Sequence, residues 1–441
     1  MNIALAGYGT EGKASYEYWN RDGNVLTIVS ESEVTDAPEG VATISGEGAF
    51  DKLGDFDLVV RSPGINPRKL PYGDKVWSAT NEFFERCTAP IIGVTGTKGK
   101  GTTSSLIASI LKAAGKNVHL VGNIGMPALS ELANIGQDDI VVYELSSFQL
   151  WDAKKSPQIA VVLGIEPDHL DVHDDMDDYV EAKANIRRFQ SLQDDCVYHP
   201  TNQLSRRIAG VRLAGFDADQ YGGSIEFAHR YGVKEEDEVY VENGHFKVQD
   251  RDICSVDYLK LPGRHNVENA CAAISAVSSL MDWPEKITDE HVKRGLEAFT
   301  GLPHRLKFVA EKNGVKYYDD SIATTPGSAI AALASFSEPK IIILGGHDKG
   351  ADYSELIESC AESAATVVAI GSNGPRIAEL CRESGVAVTE VEEGMAVIVE
   401  EAAKIAQSDS VVILSPAAAS FDMFKGYADR GDQFADAVND L

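Results

Sequence analysis

Short apolar runs that end in glycine recur along the chain, and they constrain its fold more than any other feature. Three of them are "NIALAGYGTEG" at 2–12, "PIIGVTGTKGKG" at 90–101 and "PKIIILGGHDKG" at 339–350. Continuous apolar runs of this kind are typical of parallel strands that are buried on both faces of a sheet. Helical patterns lie between several of the runs, for example at 104–114. The alternation predicts an α/β fold of doubly wound sheets with right-handed crossovers.

The length of the chain, 441 residues, exceeds what one hydrophobic core usually serves, so we expect several domains. The best boundaries lie near Ala89, before the second glycine-rich loop, and near Phe299, before "TGLPHR". They predict domains at 1–88, 89–299 and 300–441. From about 203 to 261 the pattern changes to strand-like alternation, with "ENG" at 242–244 typical of a hairpin turn. This stretch predicts a small antiparallel insertion within the second domain.

Composition and charge exclude several classes of function. The formal net charge of −28 argues against nucleic acid as the main partner, because a phosphate backbone would be repelled. The six cysteines are scattered without a C-x-x-C pair, which argues against zinc and disulfides and favours a reducing cytosol. The N-terminus does not read as a signal peptide, and apolar runs are too short to cross a bilayer. We therefore expect a soluble, cytoplasmic protein that binds neither nucleic acid nor membrane.

The stretch "GVTGTKGKGTTSS" at 93–105 resembles a phosphate-binding loop with altered spacing. The standard template G-x-x-x-x-G-K-[ST] requires glycine at Val94 and a hydroxyl at Gly101. A predicted strand precedes the loop and a predicted helix follows it, which is the context in which backbone N–H groups and a lysine bind phosphate. The alternative is an ordinary strand–turn–helix corner. The predicted nucleotide-binding residues of this loop are Gly96, Thr97, Lys98, Gly99, Lys100, Gly101, Thr102 and Thr103.

The first glycine-rich loop has the spacing G-x-G-x-x-G at Gly7, Gly9 and Gly12, directly after a predicted strand. This spacing is found in Rossmann dinucleotide sites, where an acidic residue follows about twenty positions later. Glu31 or Glu33 could be that residue, so a nicotinamide-dependent oxidoreductase is one alternative. Another anionic nucleotide bound at the same loop is the other.

Acidic and basic side chains follow two further predicted strands. Glu144 ends the strand in "VVYELSSFQL", and ligands of open α/β sheets bind at such carboxyl ends. A carboxylate there can bind Mg²⁺ that bridges phosphate oxygens. His169 in "EPDHLDVH" is a candidate metal ligand or acid–base group. His173 is interpreted as one member of a solvated acidic loop, and the pattern around Lys183 alone indicates an exposed lysine on a helix.

Ten motifs in a fixed order extend over essentially the whole chain. They are "GVTGTKGKGTT", "GNIGMPAL", "YELSSFQL", "DHLDVH", "EAKANI", "LPGRHNVENA", "TGLPHR", "DDSIATT", "LGGHDKGAD" and "LSPAAASFDMFKGYADRG". Together they resemble the Mur ligases of peptidoglycan synthesis, and most of all the branch that adds D-glutamate. The resemblance implies a Rossmann-like UDP-substrate-binding domain, a central P-loop ATPase-type domain and a Rossmann-like C-terminal domain that binds the amino acid.

The resemblance also implies roles for individual residues. Two Mg²⁺ ions would be held by Glu144, His169, the hydroxyl of Thr102 and Lys183 in carbamylated form, and the implied catalytic residues are Lys100, His169, Lys183 and Lys349. Further nucleotide contacts are implied for Asn266, Asn269, Arg305 and Asp320. The implied UDP-substrate contacts are Gly9, Thr10, Ser62, Pro63, Gly64, Asn123, Ser146 and Gln149. The implied glutamate contacts are Thr324, Lys349, Ser420 and Tyr427.

The implied reaction is the ATP-dependent addition of glutamate to UDP-N-acetylmuramoyl-L-alanine through an acyl phosphate, by a cytoplasmic monomer. Three departures from the family pattern qualify it. Gly101 replaces a hydroxyl residue, Ile322 and Thr325 replace lysine and asparagine in "DDSIATT", and Tyr427 replaces phenylalanine. The last two border the implied glutamate site, so a ligase that adds L-glutamate remains an alternative.

Two further alternatives are weaker. A folate-polyglutamate ligase is suggested by "GTKGKGT", but the N-terminal UDP-type domain and "LPGRHNVENA" argue against it. A non-catalytic relative would have no need of Lys100, Glu144, His169 and Lys183 together.

Overall fold

The computed structural model describes residues 1–21, 23–70, 72–211, 213, 228–232, 238–248, 251–280, 287–348 and 350–441. The chain divides into two compact units. The first comprises Met1–Leu259 with Val267–Ala298, and the second comprises Lys260–Asn266 with Phe299–Leu441. The predicted α/β fold is confirmed in both units, which contain mainly parallel sheets with helices between the strands. The three-domain division stays a prediction.

The first unit begins with a five-stranded parallel sheet in the order β3-β2-β1-β4-β5. Its strands are β1 (Asn2–Ala6), β2 (Val25–Ser30), β3 (Ala42–Ser45), β4 (Leu58–Arg61) and β5 (Val76–Ser78). The helices of this part are α1 (Thr10–Trp19) and α2 (Ala79–Arg86). Strand β1 is central, and the side chains of β1 and its neighbour β4 are almost entirely buried, as continuous apolar runs predict.

A six-stranded parallel sheet follows in the same unit, in the order β11-β10-β9-β6-β8-β7. Its strands are β6 (Ile91–Thr95), β7 (Val118–Gly122), β8 (Ile140–Glu144), β9 (Ile159–Val162), β10 (Asp195–Tyr198) and β11 (Ala228–Arg230). The helices are α3 (Lys100–Ala113), α4 (Ala128–Glu131), α5 (Ser147–Leu150), α6 (Met176–Arg188), α7 (Gln203–Ala209), α8 (Arg264–Leu280) and α9 (Asp289–Ala298). The two sheets of this unit share one hydrophobic cluster, in which Phe83 packs edge-to-face on Tyr143 with ring centroids 5.3 Å apart.

The antiparallel insertion is confirmed in its later part. Strands β12 (Val239–Glu242), β13 (His245–Val248) and β14 (Arg251–Ser255) form an antiparallel sheet. Its first turn is formed by Asn243 and Gly244, both at positive φ, which is the geometry of the predicted hairpin. The earlier part of the predicted insertion is different, because α7 is helical and β11 pairs in parallel with β10. Residues 214–227 of that prediction lie outside the described residues.

The second unit contains a six-stranded sheet in the order β15-β16-β20-β17-β18-β19. Its strands are β15 (Lys307–Lys312), β16 (Val315–Asp319), β17 (Lys340–Gly345), β18 (Thr366–Ile370), β19 (Val388–Val391) and β20 (Val411–Leu414). Only β15 is antiparallel, joined to β16 by a tight turn. The helices are α10 (Pro326–Leu333), α11 (Ser354–Glu362), α12 (Gly374–Glu383), α13 (Met395–Ile405) and α14 (Tyr427–Asn439).

Within the part of the chain that the structure describes, no helix has both the length and the apolarity of a membrane span.

Candidate active site

The altered phosphate loop lies between a strand and a helix, which is the predicted context. Strand β6 ends at Thr95, the loop follows, and α3 begins at Lys100. Gly96 has a φ of 155°, and a Cβ atom there would lie 2.7 Å from the Cβ of Leu163. A side chain at Gly96 is therefore excluded by close packing on Leu163, the residue that follows β9. The residue before the helix, Gly99, has no side chain with which to cap it, and the N-terminus of a helix favours an anion.

Thr97 connects this loop to the segment that carries His169. Its hydroxyl donates to the carbonyl oxygen of Glu166 at 3.0 Å and accepts the N–H of Glu166 at 2.9 Å. The same hydroxyl lies 3.1 Å from the hydroxyl of Tyr179 on α6. Because Thr97 is nearly buried, these bonds are shielded from water and fix two loops and a helix together.

Two lysine side chains reach the phosphate loop from different elements. Lys100 donates to the carbonyl oxygens of Gly96 and Thr97, at 3.1 and 2.8 Å. Lys183 on α6 donates to the same carbonyl of Gly96 at 2.9 Å. Lys183 is 1% exposed, so its interpretation as an exposed helix lysine is wrong. Burial, and next the charge of Lys100, hold the pKa of the Lys183 amine well below its usual range.

Glu144 lies at the carboxyl end of β8, directly beside β6, with Val94 as its neighbour in the register. Its side chain is 4% exposed and accepts a hydrogen bond from the Nδ2 atom of Asn123 at 3.1 Å. Leu145, the residue after Glu144, is hydrogen-bonded to β6. Its N–H donates to the carbonyl of Val94, and its carbonyl accepts from the hydroxyl of Thr95. The structure thus places Glu144 beside the phosphate loop, as the sequence predicts, and brings Asn123, a predicted substrate contact, to it.

His169 follows β9, which is the other neighbour of β6. Its backbone has a φ of 54°, its N–H donates to its neighbour Asp168, and its ring packs 4.8 Å from that of Phe148. His173 is not a solvated residue, because it is 2% exposed and stacks on Trp151 at 4.0 Å. Its ring nitrogens lie 3.0 Å from the hydroxyl of Ser147 and 2.9 Å from the carboxylate of Asp178. The sequence spacing alone gave no sign of that burial.

The side chains present fit a magnesium site only in part. Among the described residues, no group of three or more His, Cys, Asp or Glu side chains is arranged to hold a metal ion unaided. Glu144 and Asp168 are the acidic groups whose charges act on the buried Lys183 amine. A hard cation at this place would need further oxygen ligands, which a carbamate on Lys183 and nucleotide phosphates can supply.

The residues predicted to contact the UDP-substrate also lie together. The hydroxyl of Ser62 donates to the carbonyl of Gly7 at 2.9 Å, which places the turn with Pro63 and Gly64 beside the first glycine-rich loop. Gly9 is the residue before α1, and Thr10 is the first residue of that helix.

A polar contact links that loop to α5. Gln149 donates to the carboxylate of Glu11 at 2.6 Å, and Ser146 and Gln149 form a capping box at the start of α5. Burial raises the pKa of Glu11. Glu11 was missed by sequence reasoning, although it lies inside the quoted motif "GYGTEG".

In the second unit, Asp320 is the predicted site residue whose pKa is shifted most. Burial raises the pKa of its carboxyl to about 7, although it accepts hydrogen bonds from Ser415 at 2.7 Å and from the N–H of Leu306 at 3.1 Å. Two other predicted nucleotide contacts belong to this unit: Asn266 donates to the carbonyl of Pro262 at 2.6 Å, and Arg305 acts on Asp320 through its charge. In the first unit, Asn269 lies 3.4 Å from the hydroxyl of Thr103.

The predicted glutamate contacts are partly brought together. The hydroxyl of Ser321 donates to the carbonyl of Tyr427 at 2.8 Å, so the motif "DDSIATT" lies beside the start of α14. Ser420 is buried and Thr324 is exposed. The fully buried Arg430, which sequence reasoning missed, donates to Ser321 and to the carbonyl of Ala418. Lys349 lies outside the described residues.

Comparisons with known proteins agree with this geometry. The Mur ligase middle domain matches residues 94–277, and the Mur ligase glutamate ligase domain matches residues 304–418. The UDP-N-acetylmuramoylalanine–D-glutamate ligase of Acetivibrio thermocellus is 39% identical over 416 residues, which cover 90% of this chain and 85% of the relative. The enzyme of the same name from Clostridium perfringens is 32% identical over 459 residues, covering 100% of this chain and 97% of the relative.

Solved structures share the fold. The UDP-N-acetylmuramate-alanine ligase MurC of Thermotoga maritima aligns with a TM-score of 0.61 at 19% identity, covering 100% of this chain and 99% of that one. The MurF ligase of Thermotoga maritima in complex with ADP aligns with a TM-score of 0.56 at 17% identity, covering 99% and 95%.

A phosphate loop with two lysine amines, a carboxylate at the end of the next strand and relatives named as ligases define an ATP-dependent, amide-forming ligase. The chain belongs to the Mur ligase family. The family, the fold and the use of ATP predicted from the sequence are thereby confirmed. The roles assigned to single residues stay predictions.

Proposed function

We propose that this chain joins D-glutamate to UDP-N-acetylmuramoyl-L-alanine while ATP is cleaved to ADP and phosphate, as a step of cytoplasmic peptidoglycan precursor synthesis. The observation that carries the proposal is the convergence of Lys100 and Lys183 on the Gly96 carbonyl, beside the Glu144 end of β8. Relatives that bear this activity in their names are 32–39% identical over 90% or more of the chain.

The chemistry needs two transfers. A carboxylate oxygen of the UDP-precursor attacks the γ-phosphorus of ATP, the bond from phosphorus to the β–γ bridging oxygen breaks, and ADP leaves. The amine of glutamate then attacks the carbonyl carbon of the acyl phosphate, loses a proton, and phosphate departs. The N–H groups at the start of α3 and the side chain of Lys100 would stabilise negative charge on the transferring group.

Mg²⁺, when bound, neutralises phosphate oxygens and polarises the phosphorus that is attacked. We propose two sites, whose protein ligands are Thr102, Glu144, His169 and the carbamate form of Lys183. The support is chemical. The lowered pKa of the buried amine favours its neutral form, which can add CO₂, and the carbamate would supply the oxygen ligands that the described side chains lack.

The proposed assignment of each substrate to its binding residues follows the sequence motifs. The turn at 62–64 and the loop at 7–12 would hold the UDP end of the precursor, and their contact through Ser62 supports this. The roles predicted for Asn266, Arg305 and Asp320 in nucleotide binding, and for Thr324, Lys349, Ser420 and Tyr427 in glutamate binding, remain part of the proposal. So do the monomeric state and the domain bounds.

The decisive assay measures phosphate release with ATP, Mg²⁺ and UDP-N-acetylmuramoyl-L-alanine, in parallel with D-glutamate, L-glutamate or no amino acid. We expect release that depends on both the UDP-precursor and D-glutamate. Release with L-glutamate alone would reassign the amino acid, which is the outcome that Ile322 leaves open. Release that is independent of the precursor would refute the ligase assignment.

A pair of lysine variants in α3 provides the matched control. Lys100→Ala removes an amine that contacts the phosphate loop and should abolish turnover. Lys112→Ala removes an exposed amine in the last turn of the same helix and should leave turnover unchanged.

A further inference from the structure

Arg61 is the last residue of β4 and one of the largest fully buried side chains of the chain, with 1% of its surface exposed. A buried guanidinium is costly unless each of its nitrogens is paired. Each of the three nitrogens of Arg61 donates a hydrogen bond. No motif of the sequence analysis includes this residue as a functional one.

The bonds of Arg61 run in two directions. Its Nη1 atom donates to three carbonyl oxygens of the turn that follows β4, at 2.9 Å to Ile65, 3.2 Å to Pro63 and 3.4 Å to Ser62. Its Nη2 and Nε atoms form a two-point ion pair with Asp152, at 2.6 and 2.8 Å. Nη2 also donates to the carbonyl of Phe148 in α5, at 2.9 Å.

The two segments that Arg61 joins, the turn and α5, follow strands that belong to different sheets of the first unit. The turn packs on the first glycine-rich loop through the bond from Ser62 to Gly7. Helix α5 follows Glu144 after only two residues, Leu145 and Ser146, and Leu145 is bonded to β6. The planar guanidinium can bridge the two because its donors form a rigid fork, which the point charge of a lysine cannot reproduce.

We propose that Arg61 is a positioning residue of the ligase reaction. It fixes the turn at 62–65 relative to α5 and so sets where the UDP end of the precursor is held relative to the Glu144 end of β8. The identity of that substrate rests on the proposed function. Arg61 contacts no reacting atom, because its donors are taken by the turn, α5 and Asp152.

The test compares Arg61→Lys with Arg187→Lys. Arg187 is also fully buried in the first unit and also donates to a backbone carbonyl, that of Ala209, but it lies on α6 and holds α7 instead of the turn. Arg61→Lys keeps a charge opposite Asp152 and loses the fork. We expect the KM for UDP-N-acetylmuramoyl-L-alanine to rise tenfold or more in Arg61→Lys, with the KM for ATP changed by less than twofold.

A second measurement does not depend on turnover. Amide hydrogen exchange of the peptide covering 62–70 should accelerate in Arg61→Lys and stay at the wild-type rate in Arg187→Lys. Each protein is measured at the same temperature interval below its own Tm. An unchanged exchange rate in Arg61→Lys, or an equal rise of the precursor KM in both variants, would overturn the proposal.

The two proposals fail in different ways. A wild-type chain without precursor-dependent turnover would overturn the proposed function and with it the substrate that Arg61 serves. An active wild type with an unaltered Arg61→Lys variant would overturn only the role of Arg61.

Discussion

The side-chain amines of Lys100 and Lys183 donate to one shared acceptor, the carbonyl oxygen of Gly96, at 3.1 and 2.9 Å. Two ammonium groups at one carbonyl would repel each other, and Lys183 is the more deeply buried of the two. Its pKa is lowered by burial first and by the charge of Lys100 next. The lowered pKa of Lys183 therefore favours the neutral form of its amine, which is the form that can react with CO₂.

Lys183→Ala should reduce turnover by at least about 100-fold, because the carbamate that we propose as a metal ligand is lost. Short carboxylates such as formate or acetate should restore part of the rate by occupying the vacated space. The measurement is the initial rate of phosphate release with and without added carboxylate. Full activity of Lys183→Ala without any addition would refute the carbamate.

The control for this experiment keeps the volume of the side chain. Lys183→Met should fold, fill the same space and stay inactive when carboxylates are added, because the space is occupied. Equal rescue of the Met and Ala variants would show that carboxylates act elsewhere.

Gly122→Ala should displace the backbone of β8 at Glu144. Gly122 has a φ of 107°, and a Cβ atom there would lie 2.3 Å from the carbonyl oxygen of Glu144. Backbone must move to relieve this contact, so we expect a tenfold or greater loss of kcat together with lower stability. Gly115→Ala is the matched control, since its φ is 76° and nothing lies within 4 Å of its added Cβ. It should cost about 1–2 kcal/mol through the left-handed backbone alone and leave kcat intact.

Thr97→Val should uncouple the phosphate loop from the His169 segment. The substitution keeps the shape and removes a hydroxyl that pairs with the N–H and the carbonyl of Glu166 and with Tyr179. Leaving buried polar groups unpaired costs about 1–3 kcal/mol each. We expect a lower Tm and at least a tenfold lower kcat/KM for ATP, measured by thermal unfolding and steady-state kinetics. Thr97→Ser retains the hydroxyl and should recover most of both; a Ser variant as impaired as Val would contradict the role of these bonds.

Asp320 should make stability depend on pH. Its folded-state pKa is raised to about 7 from an ordinary value near 3.8, so its contribution is fully present below about pH 4 and is lost as the pH rises through 7. Asp320→Asn is uncharged and keeps a group that can accept from Leu306. The variant should match the wild type below about pH 4 and gain on it toward pH 8, by at most roughly 4 kcal/mol. Urea unfolding at these pH values measures the difference, and a gap that stays constant with pH would refute the shift.

The sequence predicted those parts of the molecule that depend on short-range pattern. The parallel strands, the corner at Gly96–Lys100, the turn at Asn243–Gly244 and the place of Glu144 at a strand end all follow from local apolar runs, glycines and one lysine. Each of these features is decided within a few residues. Nothing outside the segment is needed to interpret it.

The features that the sequence did not reveal depend on partners far away in the chain. Lys183 and His173 lie in polar, helix-like and loop-like stretches whose local pattern indicates exposure. Their burial comes from docking of α6 and α5 against the sheet, where Gly96 accepts from one and Ser147 and Asp178 pair with the other. Arg61 is similar, because its pairing with Asp152 joins two sheets. A charged residue at the end of an apolar run, as in "LVVR", was the only local signal.

The order of the second sheet has a consequence for synthesis of the protein. Strand β6 and the phosphate loop are translated before both of their neighbours, β8 and β9, and well before α6. Domains fold as their segments leave the ribosome. A nascent chain that stops short of Met176–Arg188 therefore lacks the Lys183 donor to its Gly96 carbonyl and keeps that of Lys100. The second of the two amines at this carbonyl is thus added late in synthesis, when that helix has emerged and docked.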